Sequence, residues 1–142
     1  MAIEPDSADC FFSVGALEHI PAPYLSDVLK RISYFLRPSR RSIHLIDYSD
    51  RYARADNLSR FNFLTFSDTD WRRYNSTRHY VNRLRHSQYL GLVIDAGFSV
   101  ADADVDRFPP QREILDRFTP QFERFETTYL FTLRAMILAD PL

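Results

Sequence analysis

Two short apolar runs bracket one stretch of helical period, and that order commits the chain to a parallel pair of strands. Cys10-Phe-Phe-Ser-Val14 ends at Gly15 and shows no alternation, the pattern of a strand buried on both faces of a parallel sheet. Pro21 and Pro23 then open a segment in which Leu25, Val28, Leu29, Ile32, Phe35 and Leu36 fall at helical spacing, and Pro38 stops it. Ser42-Ile-His-Leu-Ile-Asp47 is the next strand. Strand, helix and strand in about 30 residues make one βαβ unit, whose crossover is right-handed.

Beyond it the chain turns polar and aromatic, and residues 49–81 read as an insert on the substrate side. Within the insert Ser67-Asp-Thr-Asp70 before Trp71 forms a capping box that starts a short helix. Tyr89, Leu90, Val93 and Ile94 predict a second helix facing the sheet, stopped at Gly97, with a strand starting at Phe98-Ser-Val100. Pro109-Pro110 breaks the chain. Ile114-Leu115 and Phe118 predict a short helical piece, and Thr127 to Leu138 has the β-branched and aromatic content of a last strand. Residues 1–8 read as a disordered start to a single domain spanning 1–142.

Composition narrows the function classes. Eighteen basic and nineteen acidic residues leave a net charge of -1, with scattered arginines and one lysine, Lys30, so neither nucleic acid nor a membrane surface is an expected partner. Cys10 is the only cysteine, which removes an internal disulfide and any metal site of several thiolates. With no signal peptide or spanning segment legible in the sequence, a cytoplasmic location is expected.

The run Asp9-Cys-Phe-Phe-Ser-Val-Gly-Ala-Leu-Glu-His-Ile-Pro21 resembles the fourth strand and following loop of class I S-adenosylmethionine-dependent methyltransferases. The helix and the strand ending at Asp47 continue the resemblance, as do Tyr80-Val-Asn-Arg-Leu84 and Ala96-Gly-Phe98. It covers roughly residues 6 to 106. It implies an α/β, partial Rossmann-like methyltransferase fold with strands in the family's order 4-5-7-6 and flanking helices. The family's first three strands, its glycine-rich cofactor loop and its ribose-binding acid would belong ahead of Asp9. With only Gly15, Gly91 and Gly97 in these 142 residues, no such loop lies elsewhere in them. The usual Pro-Gly-Gly turn is Pro38-Ser-Arg-Arg41 here, so a left-handed position would fall on a residue that tolerates it poorly.

The resemblance also assigns candidate residues. Ser13, Val14 and Gly15 would approach S-adenosylmethionine through backbone atoms, or Gly15 simply ends the strand. Glu18 and His19 would act as general base or orient the acceptor, or pack at the helix start. Asp47 and Asp50, at the carboxyl end of the second strand, would face a small-molecule methyl acceptor or serve as solvated turn acids; Trp71 and Tyr80 would form an aromatic wall for it or fill core, and Arg83 would contact it. No tight ligand spacing supports a metal site, and His44 reads as a core histidine. Without the first half, Cys10–Val14 becomes an edge strand that invites a homodimer or a complementary N-terminal half. The expected activity is methyl transfer, lost in the isolated half. The alternative is a non-catalytic module that pairs with another chain.

Overall fold

The βαβ unit read from residues 10–47 closes as expected. In the computed structural model, which describes residues 4–54 and 58–142, β1 (Ala8–Val14) and β2 (Leu36–Asp47) pair in parallel across α1 (Ala22–Phe35). After α2 (Asp68–Tyr74) and α3 (His86–Asp95) comes β3 (Phe98–Arg107). Three single-turn helices follow, α4 (Arg112–Leu115), α5 (Pro120–Glu123) and α6 (Thr127–Leu130), before β4 (Thr132–Pro141). β4 lies antiparallel between β2 and β3, so the sheet runs β1-β2-β4-β3. That is the 4-5-7-6 arrangement the resemblance implies.

Local chemistry explains the boundaries. Pro38 disfavours helix at Arg37, and α1 passes into β2 at Leu36 without a loop. The Pro38-Ser-Arg-Arg41 turn survives as a bulge inside β2: Ala8 pairs with Leu36 and Cys10 with Arg41, which leaves Arg37 to Arg40 opposite Asp9. Ser39 takes the left-handed φ of 61°, and Arg37 and Arg40 both reach the Asp9 carboxylate, at 2.7 and 3.4 Å. Ser67 caps α2, its Oγ accepting from the Asp70 N–H at 3.1 Å. Gly97, at φ 89°, closes α3.

Four expectations need correction. The irregular start is shorter than residues 1–8: residues 1–3 lie outside the described residues, while the Asp6 and Ser7 N–H groups donate to carbonyls at the end of α1 and Ala8 is in β1. Ile94 is 55% exposed, because the sheet-facing stripe of α3 runs through Tyr89, Val93 and Ala96. Thr127–Leu130 is a helical turn instead of strand, since Leu130 and Phe131 must reach a second core below the sheet's end. β1 is not buried on both faces.

The register shows why. Phe11, Ser13, Ser42, His44 and Ile46 share one face with Ala135, Ile137 and Ala139, and α1 and α3 cover it through Leu25, Leu29, Tyr89 and Val93. On the other face Phe12, Ile43 and Leu138 form one cross-strand row, and Val14, Leu45 and Met136 the next. No described helix packs there, and Phe12 is 76% and Val14 67% exposed.

The second core gathers Phe61, Phe63, Leu64, Trp71 and Val81 from the insert with Ile114, Phe118, Phe122, Leu130 and Phe131. Arg85 joins it to the sheet. Its fully buried guanidinium donates to the carbonyls of Tyr48 at the end of β2 and of Leu130 and Thr132 at the start of β4, at 3.0–3.1 Å. The same group lies 5.4–6.0 Å from the rings of Tyr48, Phe61 and Phe63. Burial pulls its pKa down to about 10, so it stays charged at neutral pH. Arg85→Met leaves those carbonyls without their buried donor and is expected to cost about 3 kcal/mol or more in urea unfolding followed by circular dichroism. Arg85→Lys recovers only part of this, because one ammonium cannot reproduce the planar fork. A loss below about 1 kcal/mol would assign the joint to ring packing alone.

Candidate functional site

The carboxyl ends of β1, β2 and β3 and the amino end of β4 meet at one end of the sheet, where loops are free to carry chemistry. β1 ends at Gly15, whose φ of 58° turns the chain sharply while its N–H still donates to the Leu45 carbonyl at 2.9 Å. The turn leads into one 3-10 turn, Leu17–His19, that carries Glu18 and His19.

Asn82 holds that turn from outside. Its N–H donates to the Glu18 carbonyl at 2.9 Å, and its side-chain amide donates to the carbonyls of Leu17 and Ile20 at 3.0 and 2.9 Å. Its Oδ1 accepts from the Leu84 N–H and the Tyr89 hydroxyl, which anchors the clamp to α3. His19 Nδ1 lies 2.5 Å from the Tyr80 carbonyl. A carbonyl only accepts, so Nδ1 carries a proton in this contact, which leaves Nε2 as the nitrogen facing other partners.

Glu18 is buried beneath the Gly15 turn. A side chain at Gly15 would put its Cβ 3.5 Å from Glu18 Oε1 and 3.6 Å from Arg51 Nη2, and Arg51 donates to that oxygen at 3.3 Å. Oε2 has no hydrogen-bond partner. Burial raises the carboxyl pKa, against the backbone hydrogen bonds and the His19 and Arg51 charges that lower it.

The other expected residues divide. Ser13 turns its hydroxyl inward to His44 Nδ1 at 2.9 Å, so only its backbone faces the carboxyl end; His44 is a core histidine whose pKa burial lowers to about 4. Asp50 and Trp71 come together, lining a cavity of about 330 Å³ with Tyr52, Phe66 and Tyr74. The Asp50 carboxylate accepts the Tyr52 and Ala53 N–H groups, and burial raises its pKa. Asp47 Oδ1 accepts from the Ser49 N–H and hydroxyl, at 2.9 and 2.6 Å, in a turn that closes β2. Tyr80 contributes its carbonyl to His19 and does not line the Asp50 cavity.

Arg83 needs the clearest correction. Its buried guanidinium donates to the carbonyls of Phe63 and Phe66 at 2.8 and 2.7 Å and to Asp68, and lies over Trp71 and Phe122. Those contacts hold a left-handed backbone with φ 60° and make it part of the second core. Sequence reasoning missed Arg51, which no local pattern marks. Asn82 stood inside the Tyr80–Leu84 motif but drew no role of its own. Among the described residues no cluster of His, Cys, Asp or Glu side chains is placed to hold a metal ion, and no helix is long and apolar enough to cross a membrane.

In sequence, no known family and no curated protein matches this chain. In structure it is similar to a SAM-dependent methyltransferase from Methanosarcina mazei, with a TM-score of 0.60 at 11% identity over 100% of this chain and 63% of the other. It is similar to the chain described as a methyltransferase in a complex with the Haloferax volcanii Trm112 methyltransferase activator, with a TM-score of 0.55, 17% identity and coverage of 99% and 57%. The [4+2]-cyclase SpnF matches with a TM-score of 0.56, 15% identity and coverage of 99% and 53%. The chain thus has a class I methyltransferase-like α/β fold, and it spans less than two thirds of the length of these structures.

The buried carboxylate makes a signed prediction. A carboxyl group whose folded-state pKa is raised costs stability once the pH exceeds its ordinary value of 4.5, and that cost vanishes as the pH falls below it. Glu18→Gln is therefore expected to melt above the wild type at pH 7 and to converge with it near pH 4, in thermal scans by circular dichroism. A lower melting point for the variant at pH 7 would mean that the Arg51 contact outweighs burial.

Proposed function

We propose that the chain is the acceptor-side half of an S-adenosylmethionine-dependent methyltransferase acting on a small molecule. One observation carries this reading: Gly15, Glu18 and Arg51 converge at the carboxyl end of the two parallel strands, in a methyltransferase-like fold. A glycine turn with open backbone beyond Val14 suits one wall of a cofactor cleft. These residues fit the group on one side only, and the remaining contacts would come from outside the 142 residues. When bound, S-adenosylmethionine supplies an activated methyl group on a sulfonium. Ser13, Val14 and Gly15 would line it through their backbone.

The chain's own chemistry is then positioning and proton transfer. His19, with Nδ1 held by the Tyr80 carbonyl, has Nε2 available to take a proton from an acceptor hydroxyl or amine. Glu18 works from below: it fixes Arg51 and the Gly15 turn, and its unpartnered oxygen stands ready to accept a hydrogen bond. Asp50 and Trp71 provide a mostly apolar, aromatic-lined cavity for the acceptor. Partnering fits the same reading, since the exposed edge of β1 from Cys10 to Val14 would accept a complementary N-terminal half or a second copy. A neighbour that works beside the Trm112 activator supports partnering in this fold. A non-catalytic module that pairs with another chain is the second reading, favoured by the exposed edge strand β1 with its uncovered Phe12 and Val14.

Calorimetric titration with S-adenosylmethionine tests the proposal. The 142-residue chain alone is expected to give no binding in the micromolar range, and a polypeptide extended upstream of Met1 to bind the cofactor there. Silence from the extended chain would overturn the methyltransferase reading, whereas micromolar binding by the short chain would overturn the need for a second half.

A further inference from the structure

Four aromatic rings wall the cavity of about 330 Å³ beside Asp50. Tyr52, Trp71, Phe66 and Tyr74 follow one another at centroid distances of 6.3, 6.1 and 5.3 Å, inclined by 75°, 40° and 57°. Rings at such angles form a curved wall instead of a flat stack. Tyr52 and Tyr74 are 40% and 60% exposed, so the wall opens to solvent at its rim. Among the described residues that line the cavity, Asp50 is the only charged one.

A charge buried in a protein is normally paired. Asp50 is buried, and its partners are backbone groups: the Tyr52 and Ala53 N–H groups donate to Oδ1 at 2.9 and 3.3 Å, and the Phe63 backbone also hydrogen-bonds the carboxyl group. Donors of this kind favour the ionised form. Among the described residues no arginine, lysine or histidine forms an ion pair with it. The wall beside it suits a cation, because the electron-rich faces of aromatic rings attract positive charge, tryptophan most strongly. Trp71 already draws one, the Arg83 guanidinium 5.5 Å from its ring centroid, whose charge Asp68 balances. An anionic ligand would be repelled by Asp50, and a neutral apolar one would leave the carboxylate without a counter-charge.

We propose that this cavity binds an organic cation, an alkylated ammonium group seated against Trp71, Tyr52 and Tyr74 with Asp50 as its counter-charge. The inference rests on the acceptor-side reading and narrows it: the acceptor is a small molecule bearing an ammonium group. That nitrogen has no lone pair with which to take a methyl group. It is the handle that holds the acceptor, and the reacting atom lies elsewhere in the same molecule.

Trp71 is the only tryptophan in the chain, so its fluorescence reads the cavity directly. Choline and its uncharged isostere 3,3-dimethylbutan-1-ol, in which carbon replaces the ammonium nitrogen, are titrated into the full chain without S-adenosylmethionine. Choline is expected to bind at least about tenfold more tightly than the alcohol, a difference of about 1.4 kcal/mol. Asp50→Asn, which keeps an oxygen for the Tyr52 and Ala53 N–H groups, is expected to bring that preference below about threefold. Tyr74→Leu, at the exposed rim, is expected to weaken choline at least about threefold and the alcohol by less than about twofold. Circular dichroism establishes that each variant is folded. Should Asp50→Asn unfold the chain, Tyr74→Leu decides. Equal affinity for both compounds, no response to either, or a preference unchanged in the folded variants would overturn the proposal. Because no cofactor is present, such a failure would leave the methyl-transfer reading to its own titration, and silence in that titration would leave the cation site standing.

Discussion

A guanidinium with no water around it depends on the protein for acceptors, and Arg85 finds three of them in carbonyls beside the ends of β2 and β4. By donating to carbonyls of β2 and of the residues that open β4, it fixes the separation of two antiparallel neighbours where they leave the sheet. Two of the rings packed against it, Phe61 and Phe63, belong to the insert and the third, Tyr48, to the sheet's core, so the second core is keyed to the sheet through one charged side chain. Everything at the carboxyl end inherits this geometry. Tyr48, whose carbonyl Arg85 holds, is followed within three residues by the Asp50 turn and by Arg51, which meets Glu18. Residue 82, three positions before Arg85, clamps the turn that bears His19.

The first half of the architecture was legible because its signals are local. An apolar run, a helical period bounded by prolines and a second apolar run leave few options, and Ser67 and Gly97 sit where capping rules put them. What escaped was whatever depends on distant partners. Thr127–Leu130 has strand composition, yet Leu130 and Phe131 are drawn into a turn by Phe61 and Phe118. Arg83 and Asp47 look like binding residues by type and place, and both turn inward to backbone and hydroxyl partners that sequence proximity does not reveal. Arg51 was invisible for the same reason: its contact with Glu18 spans 33 positions.

The site shows a division between holding and reacting. Asn82 holds the Gly15–His19 loop by hydrogen bonds to its backbone, Tyr80 by its carbonyl on the His19 ring and Arg51 by the buried Glu18 carboxylate, so this loop, unlike most surface connections, is tied at several points. A loop of that kind suits chemistry in which orientation contributes most of the rate, and methyl transfer belongs to that class. The aromatic cavity beside Asp50 adjoins that loop in sequence, because Asp50 and Tyr52 line it on either side of Arg51.

The order of the strands has a consequence for synthesis. β4, the last strand in sequence, lies between β2 and β3, so those two acquire a common neighbour only after residues 132–141 have left the ribosome. Until then β2 has β1 alone and β3 has nothing, and the donors and acceptors of both wait in water. The segment that ends that exposure is also the one whose loss by proteolysis would part β3 from β1 and β2, since β4 alone joins them.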